Sequence, residues 1–192
     1  MIPLFTSDQV RSADNFAIKK LKIPGIVLME NASISIFKSI MEHVPDLNSS
    51  DTVGIIAGKG NNGGDGFALA RQFINYGISV KVISIGKEKD LKGDALTNYR
   101  ILKNLVTHKK YSSIKNFTSI RDLAGFSDCL IVVDAMLGTG AKGELKEPYG
   151  RIIDKLNNLD TIRISIDIPT GLDIDTGFTQ KCFDADLTIS LA

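Results

Sequence analysis

The stretch GIIAGKGNNGGDGFALARQF, residues 54–73, decides the fold. An apolar run of strand type ends in the segment GKGNNGGDG, residues 58–66, and an alternating apolar and polar pattern follows it. Gly58, Gly60 and Gly63 spell G-x-G-x-x-G between a predicted strand and a predicted helix, which is the arrangement that receives a dinucleotide pyrophosphate. Asp65 stands among the same amides, where its negative charge would oppose a phosphate.

Working outward from this stretch, apolar runs of strand length alternate with helical patterns. The predicted strands are residues 52–57, 79–85, 129–135, 161–168 and 185–191. The predicted helices are residues 6–21, 24–43, 64–76, 93–105 and 148–159. This alternation implies an α/β fold with a mostly parallel sheet that is covered by helices on both faces. The length of 192 residues fits one domain over 1–192.

Charge and apolar patterning exclude several classes of function. The 23 basic residues nearly balance the 22 acidic ones, so no broad field favours nucleic acid or an anionic membrane. No apolar run reaches the ~18 residues that span a bilayer, and the start MIPLFTSDQV lacks the features of a secretory signal. A cytoplasmic protein is expected. Cys129 and Cys182 show neither zinc-site spacing nor a disulfide framework.

Three loops that follow predicted strands are dense in glycine: residues 58–66, 136–150 and 169–177. The carboxyl ends of parallel strands share one edge of the sheet, so these loops converge there. Glycine at this density indicates close backbone approach or positive φ angles. We therefore expect the active site at the carboxyl edge.

Two common nucleotide-binding classes fit the first loop poorly. A Walker A loop requires Lys and then Ser or Thr after its last glycine, but Gly64 follows Gly63. A Rossmann dehydrogenase expects an acidic residue at the end of the next strand, where Gly86 and Lys87 stand and Glu88 is only nearby. Ordinary hydride transfer is therefore weakly supported.

The polar residues of the three loops predict a cation site and a proton-transfer group. Asn62, Asp134 and Thr170 offer hard oxygen ligands from three loops, although an Asx turn at Asn62 and a cap at Asp134 are equally open. Asp167 ends an apolar strand just before Pro169, where it would serve as a general acid or base.

The segments GKGNNGGDG, DAMLGTGAKGE, SIDIPTGLD and LMENAS together resemble the NAD(P)HX epimerases, the YjeF N-terminal domain family. The resemblance covers nearly the whole chain. It implies a Rossmann-like three-layer α/β/α sandwich with a mostly parallel central sheet. It also implies epimerisation of the R and S forms of hydrated NADH and NADPH at C6, a repair of damaged nicotinamide cofactors.

The resemblance implies substrate contacts from two loops, from Tyr149 and from Asp167. The loop contacts are Asn61, Asn62, Gly63, Gly64, Asp65, Gly138, Thr139, Gly140, Ala141, Lys142, Gly143 and Glu144. It places K⁺ on Asn62, Asp134 and Thr170, the trio that the loop positions also indicate. Asp167 is the predicted catalytic proton donor and acceptor, and Lys142 the predicted assistant, although Lys142 and Glu144 are also typical of a solvated loop surface.

Some features depart from the family pattern. Ser33 replaces an expected glycine, and Leu137 stands where an aromatic residue is common. The chain stops at ADLTISLA, residues 185–192, inside a predicted strand, so an incomplete C-terminal end and lowered stability are expected. A homodimer and an ATP- or ADP-dependent dehydratase, fused or separate, are open as partners. The competing class is a non-catalytic scaffold, since apolipoprotein-binding and decapping-associated proteins share this fold.

Overall fold

A computed structural model of the chain describes residues 5–141 and 143–191. These residues form one six-stranded sheet in the order β3-β2-β1-β4-β5-β6, and every neighbouring pair is parallel. The strands are β1 (Thr52–Ala57), β2 (Ser79–Ser84), β3 (Ser113–Asn116), β4 (Ile131–Ala135), β5 (Ile162–Ile166) and β6 (Leu187–Ile189). The strand order reverses between β1 and β4, and open sheets of this kind bind ligands at that switch point.

The described residues also form five α-helices: α1 (Ser7–Lys19), α2 (Gly25–His43), α3 (Asn61–Tyr76), α4 (Gly93–Val106) and α5 (Tyr149–Asn157). On one face α2, α3 and α4 bury Ile36, Phe73 and Leu102 against the sheet. On the other face α5 and a 3₁₀ helix, Ile120–Asp128, form a second core around Phe126 and Ile152. Two cores on opposite faces confirm the predicted three-layer α/β/α fold.

The alternation of side chains along β1 and β4 explains why one sheet supports two cores. Ile55 and Val133 pack into the first core, whereas the adjacent Ile56 and Val132 pack into the second. Successive side chains of a strand point to opposite faces, so strands covered on both sides read as continuous apolar runs. The runs that the sequence shows in these two strands are therefore buried on both faces.

Local signals place most helix ends correctly. Thr6 caps α1 with the predicted capping box, in which its side chain accepts from the Gln9 amide and the Gln9 side chain accepts from the Thr6 amide. Gly77 ends α3 in the left-handed conformation, with φ of 100°. Helix α3, however, begins at Asn61 rather than at the predicted Gly64, so the asparagines and glycines of the first loop form its first turn.

The LMENAS segment lies on α2 and joins this helix to α3. Glu30 accepts hydrogen bonds from Arg71 at 2.9 Å and from Gln72 at 2.7 Å. Ser33, in place of the expected glycine, is fully buried and donates to the carbonyl oxygen of Glu30. None of the helices in the described part of the chain is long and apolar enough to span a membrane.

Candidate active site

The three glycine-dense loops meet at the carboxyl edge of the sheet, as predicted. A Cβ atom built on Gly138, in the loop after β4, would lie 2.6 Å from Oδ2 of Asp167, which follows β5. It would lie 3.3 Å from Cβ of Asn62, at the start of α3. Only glycine leaves room for this approach, so Gly138 is the point at which the three loops come together.

The glycines of the first loop have different functions. A Cβ on Gly58 would overlap the carbonyl oxygen of Met136, and one on Gly63 would overlap the carbonyl oxygen of Gly58. These two glycines therefore allow tight packing within the protein. Gly60 has no atom within 4 Å of its Cβ position, so the open approach to the loop lies at Gly60.

The first turn of α3 presents its backbone amides without a side-chain cap. Gly60 is the N-cap residue, and it has no side chain that could accept from the helix. The amides of the first turn of a helix lack partners within the helix and carry the positive end of its dipole. This helix start therefore has the backbone chemistry of an anion site, with Gly60 at its open side.

Burial neutralises Asp65, which resolves the conflict that its charge raised in the sequence. Its exposed fraction is 7%. Burial, with smaller contributions from the charges of Asp167 and Asp14, raises the pKa of Asp65 to about 8. At pH 7 this carboxyl group is therefore mostly protonated, and it does not repel an anion at the start of α3.

Asp134 is fully buried and ties the loop after β4 to the loop after β5. Its Oδ1 accepts from the Met136 amide at 3.0 Å and from the Thr170 hydroxyl at 2.8 Å. Its Oδ2 accepts from the Thr170 amide at 2.7 Å. Burial raises the pKa of Asp134 to about 6, although these hydrogen bonds act in the opposite direction. The group is therefore mostly ionised at pH 7.

Asn62 is the buried polar side chain of this site that lacks partners. It is 8% exposed, and neither Oδ1 nor Nδ2 has a hydrogen-bond partner within residues 5–141 and 143–191. The Asx turn that the sequence left open is therefore not formed there. A buried amide without partners is costly, and such groups commonly meet a ligand, ion or water.

Asp167 follows β5 in an unusual backbone conformation. Its φ is 68°, and the amide of Ile168 donates to the carbonyl oxygen of Ile166 across it at 2.8 Å. A γ-turn with positive φ is rare and strained, and strain of this kind concentrates at functional sites. Oδ2 of Asp167 accepts from the Thr139 amide at 2.9 Å, which fixes the carboxylate against the loop after β4.

The structure brings some predicted contacts together and leaves others apart from the centre. Gly138 and Thr139 touch Asp167, whereas Ala141, Gly143 and Glu144 are exposed on the same loop. Tyr149 starts α5 and packs, partly buried, against the second core. Burial raises the pKa of Tyr149. Lys142 lies outside the described residues, so the structure does not test its predicted role.

Sequence reasoning missed one contact at this edge. Arg11 on α1 donates from Nη2 to the carbonyl oxygen of Thr139 at 3.2 Å, across 128 positions of the chain. Nothing in the local pattern around Arg11 signals this contact, because the residue lies on the polar side of an ordinary amphipathic helix. Only the tertiary placement of α1 reveals it.

Neither this edge nor the rest of the described chain contains a cluster of conventional metal ligands. Within 5–141 and 143–191, no group of three His, Cys, Asp or Glu side chains is arranged to hold a metal ion. Cys129 is buried, and burial raises the pKa of its thiol to about 11, so it is not a reactive thiolate at neutral pH. The Cys129 thiol therefore contributes packing rather than chemistry.

Fold and site define a Rossmann-like α/β protein whose candidate active site lies at the carboxyl edge, around the switch point of the sheet. The family described as "YjeF-related protein N-terminus" matches residues 25–192. The chain therefore belongs to this family.

Named relatives agree with this assignment. The chain is 36% identical to the "NAD(P)H-hydrate epimerase" of Rhodopirellula baltica over 100% of its own length and 75% of the relative's. It is 34% identical to the "Bifunctional NAD(P)H-hydrate repair enzyme Nnr" of Moorella thermoacetica, of which it covers only 36%. The crystal structure of yeast YNL200c matches 98% of the chain with a TM-score of 0.81 and 22% identity, which supports the fold alone.

Proposed function

We propose that this protein interconverts the R and S epimers of hydrated NADH and NADPH at C6 of the nicotinamide ring. The observation that carries the proposal is the Asp167 carboxylate, which extends from a strained backbone and is held by the Thr139 amide beside an uncapped helix start. In a family whose members include NAD(P)H-hydrate epimerases, this arrangement pairs a proton-transfer group with an anion site. The reaction repairs a cofactor and uses no redox step.

The start of α3 would receive the pyrophosphate of the substrate. Gly60 leaves the approach open, and the amides of Asn61, Asn62 and Gly63 are the donors of the first turn. The α-carbon of Gly64 would not contact the substrate directly, because a Cβ built there would meet Met29 of α2. We assign the remaining predicted contacts of the loop after β4, with Tyr149, to the rest of the dinucleotide.

Asp167 would move the proton that epimerisation requires. In one route Asp167 protonates the C6 hydroxyl, and the C6–O bond breaks with loss of water. The nitrogen lone pair stabilises the ring cation that remains. Water then adds to the other face, and a proton returns to the carboxylate. In the alternative route the bond between C6 and nitrogen opens and closes again. Both routes need one group that donates and then accepts a proton, a role worth about 10²–10⁴-fold in rate.

Asp65 and Lys142 would assist in different ways. Because the pKa of Asp65 is raised to about 8, its protonated carboxyl can donate a hydrogen bond to substrate at pH 7. Lys142 is proposed to steady a phosphate or the departing oxygen. A dehydratase, fused or separate, is the partner that we propose for the same repair.

The residues present fit a potassium ion held by Asn62, Asp134 and Thr170. Oδ1 of Asn62 is buried and has no hydrogen-bond partner among the described residues, as expected of an oxygen that binds an ion. A carboxylate has about four acceptor positions, and Asp134 uses three of them within the protein. Oxygen donors of this kind suit hard cations. The ion would balance the buried charge of Asp134 and order the loops.

The test is the rate of exchange between the two epimers of hydrated NADPH, measured with purified protein and with KCl. The epimers interconvert slowly without enzyme, so the measured rate is compared with that background at the same pH and temperature. Acceleration proportional to protein concentration supports the proposal. Tight dinucleotide binding without any acceleration would support the non-catalytic scaffold instead.

A further inference from the structure

Helix α1 lies at the same edge as the candidate site, although the family match begins only at residue 25. Apart from Val10 and Ala17, the described side chains of α1 are exposed. Apolar packing therefore holds this helix only weakly against the rest of the protein. With Leu191, beyond β6, residues of α1 line a cleft of about 480 Å³. One wall of this cleft includes Asp8, Ser12 and Asp14 of α1.

Two side chains of α1 reach toward the site. Arg11 donates to the carbonyl oxygen of Thr139, and its Nη2 lies 3.9 Å from the Cβ position of Gly140. Asp14 is three positions further, which places it on the same face of the helix. The charge of Asp14 contributes to raising the pKa of the buried Asp65 on α3.

Thr139 connects Arg11 to the proposed catalytic group. Its carbonyl oxygen accepts from Arg11, and its amide donates to Oδ2 of Asp167 at 2.9 Å. The loop between β4 and α5 is long and carries several glycines, so the chain around Thr139 needs external contacts to fix it. A charged donor provides a stronger bond to a carbonyl than a neutral one does.

We infer that α1 is part of the active site and that Arg11 is a positioning residue, which fixes Thr139 so that its amide holds the Asp167 carboxylate in place for proton transfer. The inference deepens the proposed function and rests on it. Arg11 need not touch substrate in this role. Its loss should lower kcat more than it raises KM, because the carboxylate would be misplaced while the proposed pyrophosphate contacts at the start of α3 remain.

The experiment compares Arg11→Ala with Lys19→Ala, which removes the same charge from the other end of α1. We expect kcat of Arg11→Ala to fall about tenfold, the loss of roughly one charge-assisted hydrogen bond, with KM within about twofold. Lys19→Ala should match wild type. Guanidinium at low, non-denaturing concentration should restore part of the lost kcat, whereas urea, a neutral molecule of similar shape, should not.

A second measurement tests the connection from Arg11 through Thr139 to Asp167 without an activity assay. In ¹H–¹⁵N NMR spectra, the Thr139 amide of Arg11→Ala should move toward its position in Asp167→Asn, in which the acceptor is altered. Wild-type kcat in Arg11→Ala, a raised KM with unchanged kcat, or a fall in kcat without guanidinium rescue would each overturn the inference. If wild type itself shows no exchange, the proposed function fails, and the Thr139 amide still decides whether Arg11 fixes this loop.

Discussion

The two edges of the sheet both carry aspartates, but these aspartates differ in their surroundings. At the amino edge, Asp51, Asp128, Asp160 and Asp186 line a cleft of about 630 Å³. Asp186 accepts from the Arg163 amide and pairs with its guanidinium at 3.2 Å, and these contacts hold the pKa of Asp186 below its usual range. At the carboxyl edge, Asp65 and Asp134 are buried, and burial raises both pKa values.

This difference shows that the number of acidic side chains does not by itself identify an active site. Exposed carboxylates with cationic neighbours, such as Asp128 beside Lys81, are ordinary solvated surface. A carboxyl group buried without a paired cation among the described residues costs free energy, and a protein keeps it where chemistry or a ligand requires it. The burial of Asp65 and Asp134 therefore separates the active edge from the inert one.

The largest expected effect is the loss of activity on changing Asp167→Asn. This variant keeps the shape of the side chain and removes the titrating group, so epimer exchange should fall by roughly 10²-fold or more. Asp186→Asn, at the amino edge, should exchange the epimers as fast as wild type. Equal loss of activity in the two variants would contradict the difference between the two edges. Exchange at the wild-type rate in Asp167→Asn would assign the proton-transfer role to Asp65 or Lys142 instead.

Asp134→Ala should give the next largest effect, this time on stability. The change leaves the Met136 amide and both donors of Thr170 without their acceptor, so the free energy of unfolding should fall by about 3 kcal/mol. Wild type should melt at a higher temperature in KCl than in LiCl of equal ionic strength. Asp134→Ala should lose this difference and Asp128→Ala should keep it. A potassium response that survives in Asp134→Ala would contradict the proposed ion site.

Asp65 should make stability depend on pH in a direction opposite to that of Asp186. Because the folded pKa of Asp65 is about 8 against an ordinary value of 3.8, the folded state holds a proton that the unfolded state releases. Asp65 should therefore lower stability as pH rises from about 4 to 8, by at most about 1.4 kcal/mol per pH unit. In urea unfolding measured at several pH values, Asp65→Asn should remove this contribution and leave only the slope that the raised pKa of Asp134 causes between about pH 4 and 6.

The contrast with Asp186 sharpens the same measurement. Its folded pKa is lowered, so its contribution is present above the unfolded pKa and is lost as pH falls through the folded pKa. Asp186→Asn should therefore change the pH dependence only in acid. An identical slope between pH 4 and 8 in wild type and Asp65→Asn would show that Asp65 is ionised in the folded protein.

The smallest effect is expected at the exposed side of the amino edge. Asp160 is exposed and lines the cleft there, so Asp160→Asn should change the free energy of unfolding by less than about 0.5 kcal/mol. Chemical denaturation and the exchange assay are sufficient to check this. A large loss of either stability or activity would show that the amino edge is more than solvated surface.

The sequence predicted the elements whose patterns are strong. β1 lies exactly where its apolar run stands, and the other four predicted strands begin or end within two residues of the observed ones. β3 was missed because SIKN is short and mostly polar, as suits a strand at the edge of the sheet. The 3₁₀ helix Ile120–Asp128 was missed because its turns are too tight for the 3.6-residue pattern.

The site was predictable only in part. Strand ends and glycine density pointed to the carboxyl edge, and the structure brings Asn62, Gly138 and Asp167 together there. The protonated state of Asp65 could not be predicted, because it depends on burial and on charges from α1 and from the loop after β5. Arg11 was missed because its contact joins residues 128 positions apart.

The position of a bound dinucleotide tests most directly the central claim, that the carboxyl edge is the active edge. A crystal structure grown with NADP⁺ and KCl should show the pyrophosphate at the start of α3, on the open side of Gly60, with the nicotinamide half within reach of Asp167. A dinucleotide seated instead in the cleft between Asp128 and Asp186 would contradict the account.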